Sequence, residues 1–266
     1  MSLRAKKSLG QHFLASKGAL AKIIEAAALH EGETTMEIGP GTGILTEALL
    51  GTGARVIAIE KDRRAMGILE ERFAGEIADK RLRLIEGDVL ETDRAALGLS
   101  EGTYAVVANI PYYITGAILG SFLEKGPRPS RMVLLVQKEV AERIVARDGK
   151  ESVLSISVKA FGRPRIVARV PRGAFVPPPT VDSAIIAIEE IAGAPFGGDS
   201  ARIGRFFAVV KAGFAHKRKL LKRNLEAVAD ASSLEKAWGS FGLSTDARAE
   251  DVSVETWLGI AESLSC

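Results

Sequence analysis

The sequence predicts an α/β chain: a parallel sheet covered on both faces by helices, followed by a small all-helical C-terminal part. Three observations carry this. Short apolar runs rich in β-branched residues alternate with stretches whose apolar residues recur at helical spacing. Four successive runs end on a glycine, an acid or an amide, as strands do where a ligand sits beyond the carboxyl edge of a parallel sheet. Past a tract of small residues and helix breakers, Ala192–Gly198, only helical patterns remain. The expected division is 1–191 for the sheet-bearing part and 199–266 for the helical one.

Taken in order, the chain opens on a basic segment, Met1–Lys7, and then Gly10-Gln11-His12-Phe13-Leu14. A helix is expected from Lys17 to Leu29, where Ile23, Ile24 and Ala27 keep helical spacing. Thr34–Ile38 is the first strand and runs into Gly39-Pro40-Gly41-Thr42-Gly43; a helix through Ile44–Leu50 follows. Arg55–Ile59 is the second strand, ending at Glu60, and its helix runs through Met66, Leu69 and Phe73. The third strand, Leu82–Ile85, ends at Gly87-Asp88, and the fourth, Tyr104–Ala108, ends at Asn109-Ile110-Pro111-Tyr112. Met132–Val136 is the fifth. Helices are expected over Val140–Ile144 and Val153–Phe161, and two late strands at Ile166–Ala168 and Ala184–Ile188, separated by Phe175-Val176-Pro177-Pro178-Pro179. The tail predicts helices near 200–214, 217–229, 233–240 and 253–264, the last with Ser253 as N-cap.

A length of 266 residues suits one large domain or a medium and a small one. Apolar content of 47% and charged content of 26% are those of a soluble globular protein. No apolar run approaches the roughly 18–20 residues that span a bilayer, and the basic start lacks the apolar stretch of a secretory signal. One cysteine, Cys266, gives neither a disulfide framework nor a cysteine zinc site, and three scattered histidines argue against a histidine metal site. A reducing cytoplasm and a metal-free chain are expected. The net charge of +3 is unevenly placed: Arg163–Arg223 holds 12 Lys/Arg against 4 Asp/Glu, a net of +8, and the remainder carries −5. A basic face on an otherwise acidic chain points to a polyanionic partner, although a merely solvated surface gives the same count.

Gly39, Glu60, Asp88 and Asn109 stand at four successive strand ends and should line one crevice. Glycines at 39, 41 and 43 permit positive φ and close approach of a ligand to the backbone. Their spacing is not the Gly-x-Gly-x-x-Gly of dinucleotide sites, which disfavours a pyrophosphate cradle. Glu60 can hold a ribose diol and Asp88 can accept from an adenine amine. Together these suit an adenosine whose tail lacks phosphate, as in S-adenosylmethionine. Asn109-Ile110-Pro111-Tyr112 supplies an amide, a rigid turn and an aromatic ring, the parts needed to hold a flat base with an exocyclic amine. Alone, that stretch is equally a strand end followed by a turn. Tyr113 is read as core or as a residue behind the site.

In order and content, Gly10–Leu14, Glu37–Gly43, Glu60-Lys61-Asp62, Gly87–Leu90 and Asn109–Tyr112 resemble the ribosomal RNA adenine N6,N6-dimethyltransferases. Phe175–Ser183, the basic Phe214–Leu221 and Arg248-Ala249-Glu250 extend the likeness over essentially the whole chain. One departure is His12, where many members carry asparagine. The resemblance implies a Rossmann-like sheet and an S-adenosyl-L-methionine site using His12, Leu14, Gly39, Gly41, Glu60, Asp88 and Asn109. It implies transfer of two methyls to each of two adjacent adenines near the 3′ end of 16S rRNA, in the immature small (30S) subunit. Asn109 and the Ile110 or Pro111 carbonyl would hold N6, with Tyr112 and Phe175 sandwiching the flipped base. Phe175 on its own reads as a packed loop residue.

Lys211, Lys217, Arg218, Lys219, Lys222 and Arg223 are expected to meet RNA phosphate. If helical, 218 with 222 and 219 with 223 would form two basic ridges. Arg4, Lys6 and Lys7 either extend this patch or are a solvated terminus. Nothing in the sequence demands a dimer, and a monomer is expected. The rival functions are a macrolide-resistance methyltransferase of 23S rRNA, a non-catalytic ribosome-assembly factor and, more remotely, a nicotinamide oxidoreductase. The long proline loop and the C-terminal match favour the small-subunit enzyme.

Overall fold

The structure, a computed structural model, describes residues 5–6, 10–191 and 195–264. Arg4, Lys7, the first residues of the small-residue tract at 192–194 and Cys266 lie outside the described residues. Along the chain come β1 (Phe13–Leu14), α1 (Lys17–Ala27), β2 (Thr34–Ile38), α2 (Ile44–Leu50), β3 (Arg55–Glu60), α3 (Arg63–Arg72), α4 (Ala74–Ala78) and β4 (Leu82–Glu86). There follow β5 (Tyr104–Asn109), α5 (Thr115–Glu124), β6 (Arg131–Gln137), α6 (Lys138–Val145), α7 (Val153–Lys159), β7 (Arg163–Val170), β8 (Phe175–Val176) and β9 (Ser183–Glu189). The tail is α8 (Ser200–Gly213), α9 (Leu221–Leu225), α10 (Ala231–Phe241) and α11 (Val254–Ser263).

Seven strands form one sheet in the order β4-β3-β2-β5-β6-β9-β7. The five strands expected to be parallel are parallel, with Thr34 opposite Arg55 on one side and Tyr104 on the other. β5 and β6 are apolar along their middles because helices cover both faces: Val106, Val107, Ala108, Leu134 and Leu135 are wholly buried. Of the two late strands, β7 runs the same way as the five parallel strands and β9 opposes them. β9 runs antiparallel to both β6 and β7, since the chain between β7 and β9 holds only a 3-10 turn and the two-residue β8, not the helix a parallel crossover needs.

The chain divides into two compact units. One comprises the chain up to Ala141 together with Arg163 through β9; the other comprises Glu142–Gly162 with the helices from α8 onward. The expected boundary is therefore corrected for 142–162, which belongs with the helical unit. The Phe161 ring lies 5.2 Å from Phe196 and 6.1 Å from Phe207. The Glu151 N–H donates to the Glu250 carbonyl at 2.8 Å, and Lys150 is ion-paired with Asp251. In that unit Trp257 is fully buried, stacked on Phe214 at 5.5 Å. Ser253 caps α11, its hydroxyl accepting from the Thr256 N–H at 3.3 Å.

The helix expected over 217–229 is short. Residues 214–220 form a turn, and only Leu221–Leu225 is helical. Asn224 causes this: its Nδ2 donates to the carbonyls of Gly213 at 2.6 Å and His216 at 3.2 Å, satisfying groups that a continuing helix would have used. The two helical basic ridges are accordingly not formed.

Candidate active site

Strand order reverses between β2 and β5, the switch point at which open α/β sheets bind ligands. A cavity opens there, lined by His12, Gly39, Gly41, Glu60, Asp88, Asn109, Pro111 and Tyr112. The four strand-end residues thus share one crevice, as expected. Lys61 and Tyr113 line it too.

The turn after β2 exists because glycine permits it. Gly41 has φ +55, and a Cβ there would stand 2.9 Å from the Phe13 ring, a distance no side chain tolerates. A Cβ on Gly39 would meet nothing within 4 Å, so this glycine leaves open space where the strand ends. Glu60 closes the turn: its Oε2 accepts from the Gly41 N–H at 3.0 Å and its Oε1 from the Asp62 N–H at 2.7 Å. Burial raises the Glu60 carboxyl above its ordinary range, against the pull of these two amides.

Asp88 is held by the Leu90 N–H on Oδ1 at 2.9 Å and by the Lys61 ammonium on Oδ2 at 2.7 Å. That ion pair, chiefly, lowers its carboxyl. Asp62 caps α3 and takes both Arg64 and Gln11 Nε2, the latter at 3.0 Å; Arg64, first among its partners, brings the carboxyl to about 2. One buried acid went unassigned in the sequence. Glu37 is 1% exposed, accepts from the Thr46 hydroxyl at 2.6 Å, and is pushed up by burial to about 8. An acid on the buried central strand, two positions before a glycine turn, was the available signal.

At the end of β5, Asn109 Nδ2 donates to the His12 carbonyl at 3.0 Å. The amide plane then directs Oδ1 to the opposite side, free to accept from a bound base. Pro111, at φ −58 and ψ 131, leads into a 3-10 turn over Tyr112–Ile114. The Tyr112 hydroxyl lies 2.6 Å from Ser183 Oγ, and burial raises its phenol, which stays neutral. The Tyr112 ring stacks with His12, centroids 6.0 Å apart at 20°. His12 Nδ1 is 2.8 Å from the Pro177 carbonyl. A carbonyl only accepts, so Nδ1 carries the proton.

Two expected site residues take other places. Phe175 pairs with Leu14 in the antiparallel β1–β8 ladder, and both side chains join the hydrophobic core, at 2% and 6% exposure. The strand alternation that turns Phe175 inward leaves Val176 outward. The ring is buried here and does not line the cavity, away from the stacking position that the resemblance implies. Tyr113, read as core or as a residue behind the site, is instead 67% exposed and lines the cavity.

The basic residues lie in the other unit. Lys211 lies in the last turn of α8, its ammonium 5.9 Å from the centre of the Phe207 ring. Lys217, Arg218 and Lys219 are exposed in the turn before α9. Lys222 is ion-paired with Glu235, and Arg223 with Glu226 at 3.2 Å. Among the described residues no helix is long and apolar enough to cross a membrane, and no three His, Cys, Asp or Glu side chains group as metal ligands do.

The donors and acceptors present fit an adenosine-bearing methyl donor: a buried carboxylate for a diol, a second acid for an amine, and open space above Gly39. Solved structures of the same shape give the class. The crystal structure of the 23S rRNA methyltransferase ErmE aligns with a TM-score of 0.75 at 27% identity, over 96% of this chain and 100% of that one. A dimethyladenosine transferase from Plasmodium falciparum aligns with a TM-score of 0.75 at 26% identity, over 94% and 96%. The fold is that of the methyltransferases that use S-adenosylmethionine.

Sequence comparison narrows the class. Residues 2–265 match the family model for ribosomal RNA adenine dimethylase. A Dehalococcoides mccartyi protein named ribosomal RNA small subunit methyltransferase A is 42% identical over 261 residues, covering 96% of this chain and 87% of that protein. The chain belongs to the ribosomal RNA adenine dimethylase family, and it is an enzyme that methylates ribosomal RNA.

Proposed function

We propose that this enzyme is a cytoplasmic monomer that dimethylates N6 of two adjacent adenines near the 3′ end of 16S rRNA, in the assembling 30S subunit. The observation that carries the chemistry is the Asn109–His12 hydrogen bond. An adenine N6 lone pair is delocalised into its ring and attacks poorly. Acceptance of its two N–H bonds by Asn109 Oδ1 and by the Ile110 or Pro111 carbonyl favours a pyramidal nitrogen with the lone pair exposed. Tyr112, anchored on Ser183, supports one face of the extruded base. Positioning is the main contribution, because the methylated nitrogen sheds its proton readily.

S-adenosylmethionine, when bound, supplies a methyl group on a sulfonium. Gly39, Gly41 and the backbone beside His12 and Leu14 would hold its amino-acid end; Glu60 would accept from the ribose hydroxyls and Asp88 from the adenine amine. Lys211, Lys217, Arg218, Lys219, Lys222 and Arg223 would meet RNA phosphate, giving affinity without sequence reading.

The small-subunit assignment is supported by the 42% identity to a protein named for that subunit, against 27% to the 23S rRNA enzyme. Tritiated S-adenosylmethionine, offered with unmethylated small-subunit particles or with large-subunit RNA, tests it. Label in adenines of the small-subunit RNA is expected; label confined to large-subunit RNA would overturn the assignment.

A further inference from the structure

Tyr113 is the one exposed aromatic ring on the cavity wall among the described residues, 67% accessible where Tyr112 beside it is half-buried. The two occupy successive positions of one 3-10 turn, in which consecutive side chains point about 120° apart. Tyr112 accordingly turns in toward Ser183 and Tyr113 turns out. The outward ring is not loose. A Cβ on Gly10 would lie 3.2 Å from both Cδ1 and Cε1 of Tyr113, so the ring rests against the backbone of Gly10, and Pro111 lies beside the same position at 3.7 Å. One edge is supported and the remainder faces solvent at the mouth. Lys61, itself exposed and ion-paired with Asp88, stands on the same wall.

A supported aromatic ring in water, beside a cation and at the mouth of a base pocket, has the form of a nucleotide-stacking platform. When one adenine enters the pocket, the nucleotide next to it in the strand must lie just outside. We infer that Tyr113 stacks this neighbouring nucleotide, which on the function proposed above is the other adenine of the pair. The platform would hold the second adenine at the mouth while the first is methylated, and keep the pair in register for exchange. Stacking reads any base by its π-face, so Tyr113 contributes affinity and register, not base identity.

The test rests on the proximity of the target to the RNA 3′ end, which lets a synthetic 3′ segment be ligated into the small-subunit RNA. Unmethylated particles are assembled with the natural adenine pair, or with one member replaced by an abasic nucleotide, and methyl transfer to the remaining adenine is followed. On natural particles Tyr113→Ala is expected to lower kcat/KM about tenfold, mostly through KM, and Tyr113→Phe to stay within about twofold of wild type. Neither should change the affinity for S-adenosylhomocysteine or the melting temperature. On abasic particles the wild type should already show the loss, and Tyr113→Ala should add little to it. Full activity of Tyr113→Ala on natural particles, an equal loss on both kinds of particle, or weakened S-adenosylhomocysteine binding would each overturn the platform. A wild type inactive on every small-subunit particle would overturn the functional reading on which the platform rests, and this control separates the two failures.

Discussion

The side-chain amide of Asn109 is tied to the backbone carbonyl of His12 at 3.0 Å, across 97 positions of sequence. The bond does two jobs at once: it fixes which atom of the amide faces the cavity, and it fastens the strap carrying His12 to the end of β5. Asn109→Asp keeps the shape but turns the donor into an acceptor, so a carboxylate oxygen faces a carbonyl. Methyl transfer should fall by about 100-fold, the cost of a misplaced reacting group, while binding to small-subunit particles persists. Single-turnover transfer and a filter-binding isotherm on the same preparation check this. A variant that retains wild-type turnover would show that Asn109 does not position the base.

Glu37 should make stability fall as pH rises. Its carboxyl lies at about 8 in the fold against 4.5 in an ordinary setting, because burial outweighs the Thr46 hydrogen bond and the neighbouring Glu60 adds repulsion. Between these values the native chain holds a proton that the unfolded chain has released, so the stabilisation present below about pH 4.5 is lost progressively toward pH 8. Glu60, also raised, acts in the same direction. Glu37→Gln removes one of the two titrations and keeps an acceptor for Thr46. The slope of unfolding free energy between pH 5 and 8 should flatten by about 1.4 kcal/mol per pH unit, the value for one proton. Urea midpoints measured across that range decide it; an unchanged slope would mean that Glu37 is ionised in the fold.

Much of the architecture is written locally. Thr34–Ile38, Ile44–Leu50 and Tyr104–Asn109 begin and end where apolar periodicity and breakers say they should. The acids and amide at the strand ends were legible because a parallel sheet gives every strand the same polarity, so ends in sequence become one edge in space. What escaped depends on partners far along the chain. Two-residue strands such as β1 and β8 carry no period, so nothing near Phe175 announced that it would pair with Leu14 and turn inward. The turn over 214–220 is set by one amide, Asn224, reaching back to two carbonyls, whereas the local spacing of Leu220, Leu221 and Leu225 reads as helix. Segment 142–162 looks continuous with the sheet in sequence, and distant partners assign it to the helical unit: Phe161 packs on Phe196 and Phe207, Glu151 bonds Glu250 and Lys150 pairs with Asp251.

The burial of Phe175 separates packing from stacking. At 2% exposure among Leu14, Val170 and Ala174, truncation to alanine should destabilise the fold by about 3–5 kcal/mol. Phe175→Leu, closer in volume, should cost under about 1.5 kcal/mol and leave methyl transfer within a few-fold of wild type. A ring that stacked on substrate would give the reverse pattern. Denaturation and transfer assays on both variants distinguish the two; stable but inactive Phe175→Leu would restore the stacking role.

The basic turn before α9 offers the clearest contrast among the RNA-facing candidates. Among the described residues Lys217, Arg218 and Lys219 have no acidic partner, whereas Lys222 and Arg223 are paired with Glu235 and Glu226. A free exposed cation releases counterions from RNA in full, while a paired one must first give up its carboxylate. Each phosphate contact contributes a slope of roughly 0.7–0.9 to the fall of log affinity with log salt. Replacing Lys217, Arg218 and Lys219 together by alanine should therefore reduce that slope by about 2, weaken binding to all RNAs alike, and leave S-adenosylhomocysteine affinity unchanged. Replacing Lys222 and Arg223 should change the slope by less than about 1. Binding isotherms over a salt series read both. If the pair rather than the triple governs the slope, phosphate lies along α9 and the ion pairs with Glu235 and Glu226 are broken in the complex.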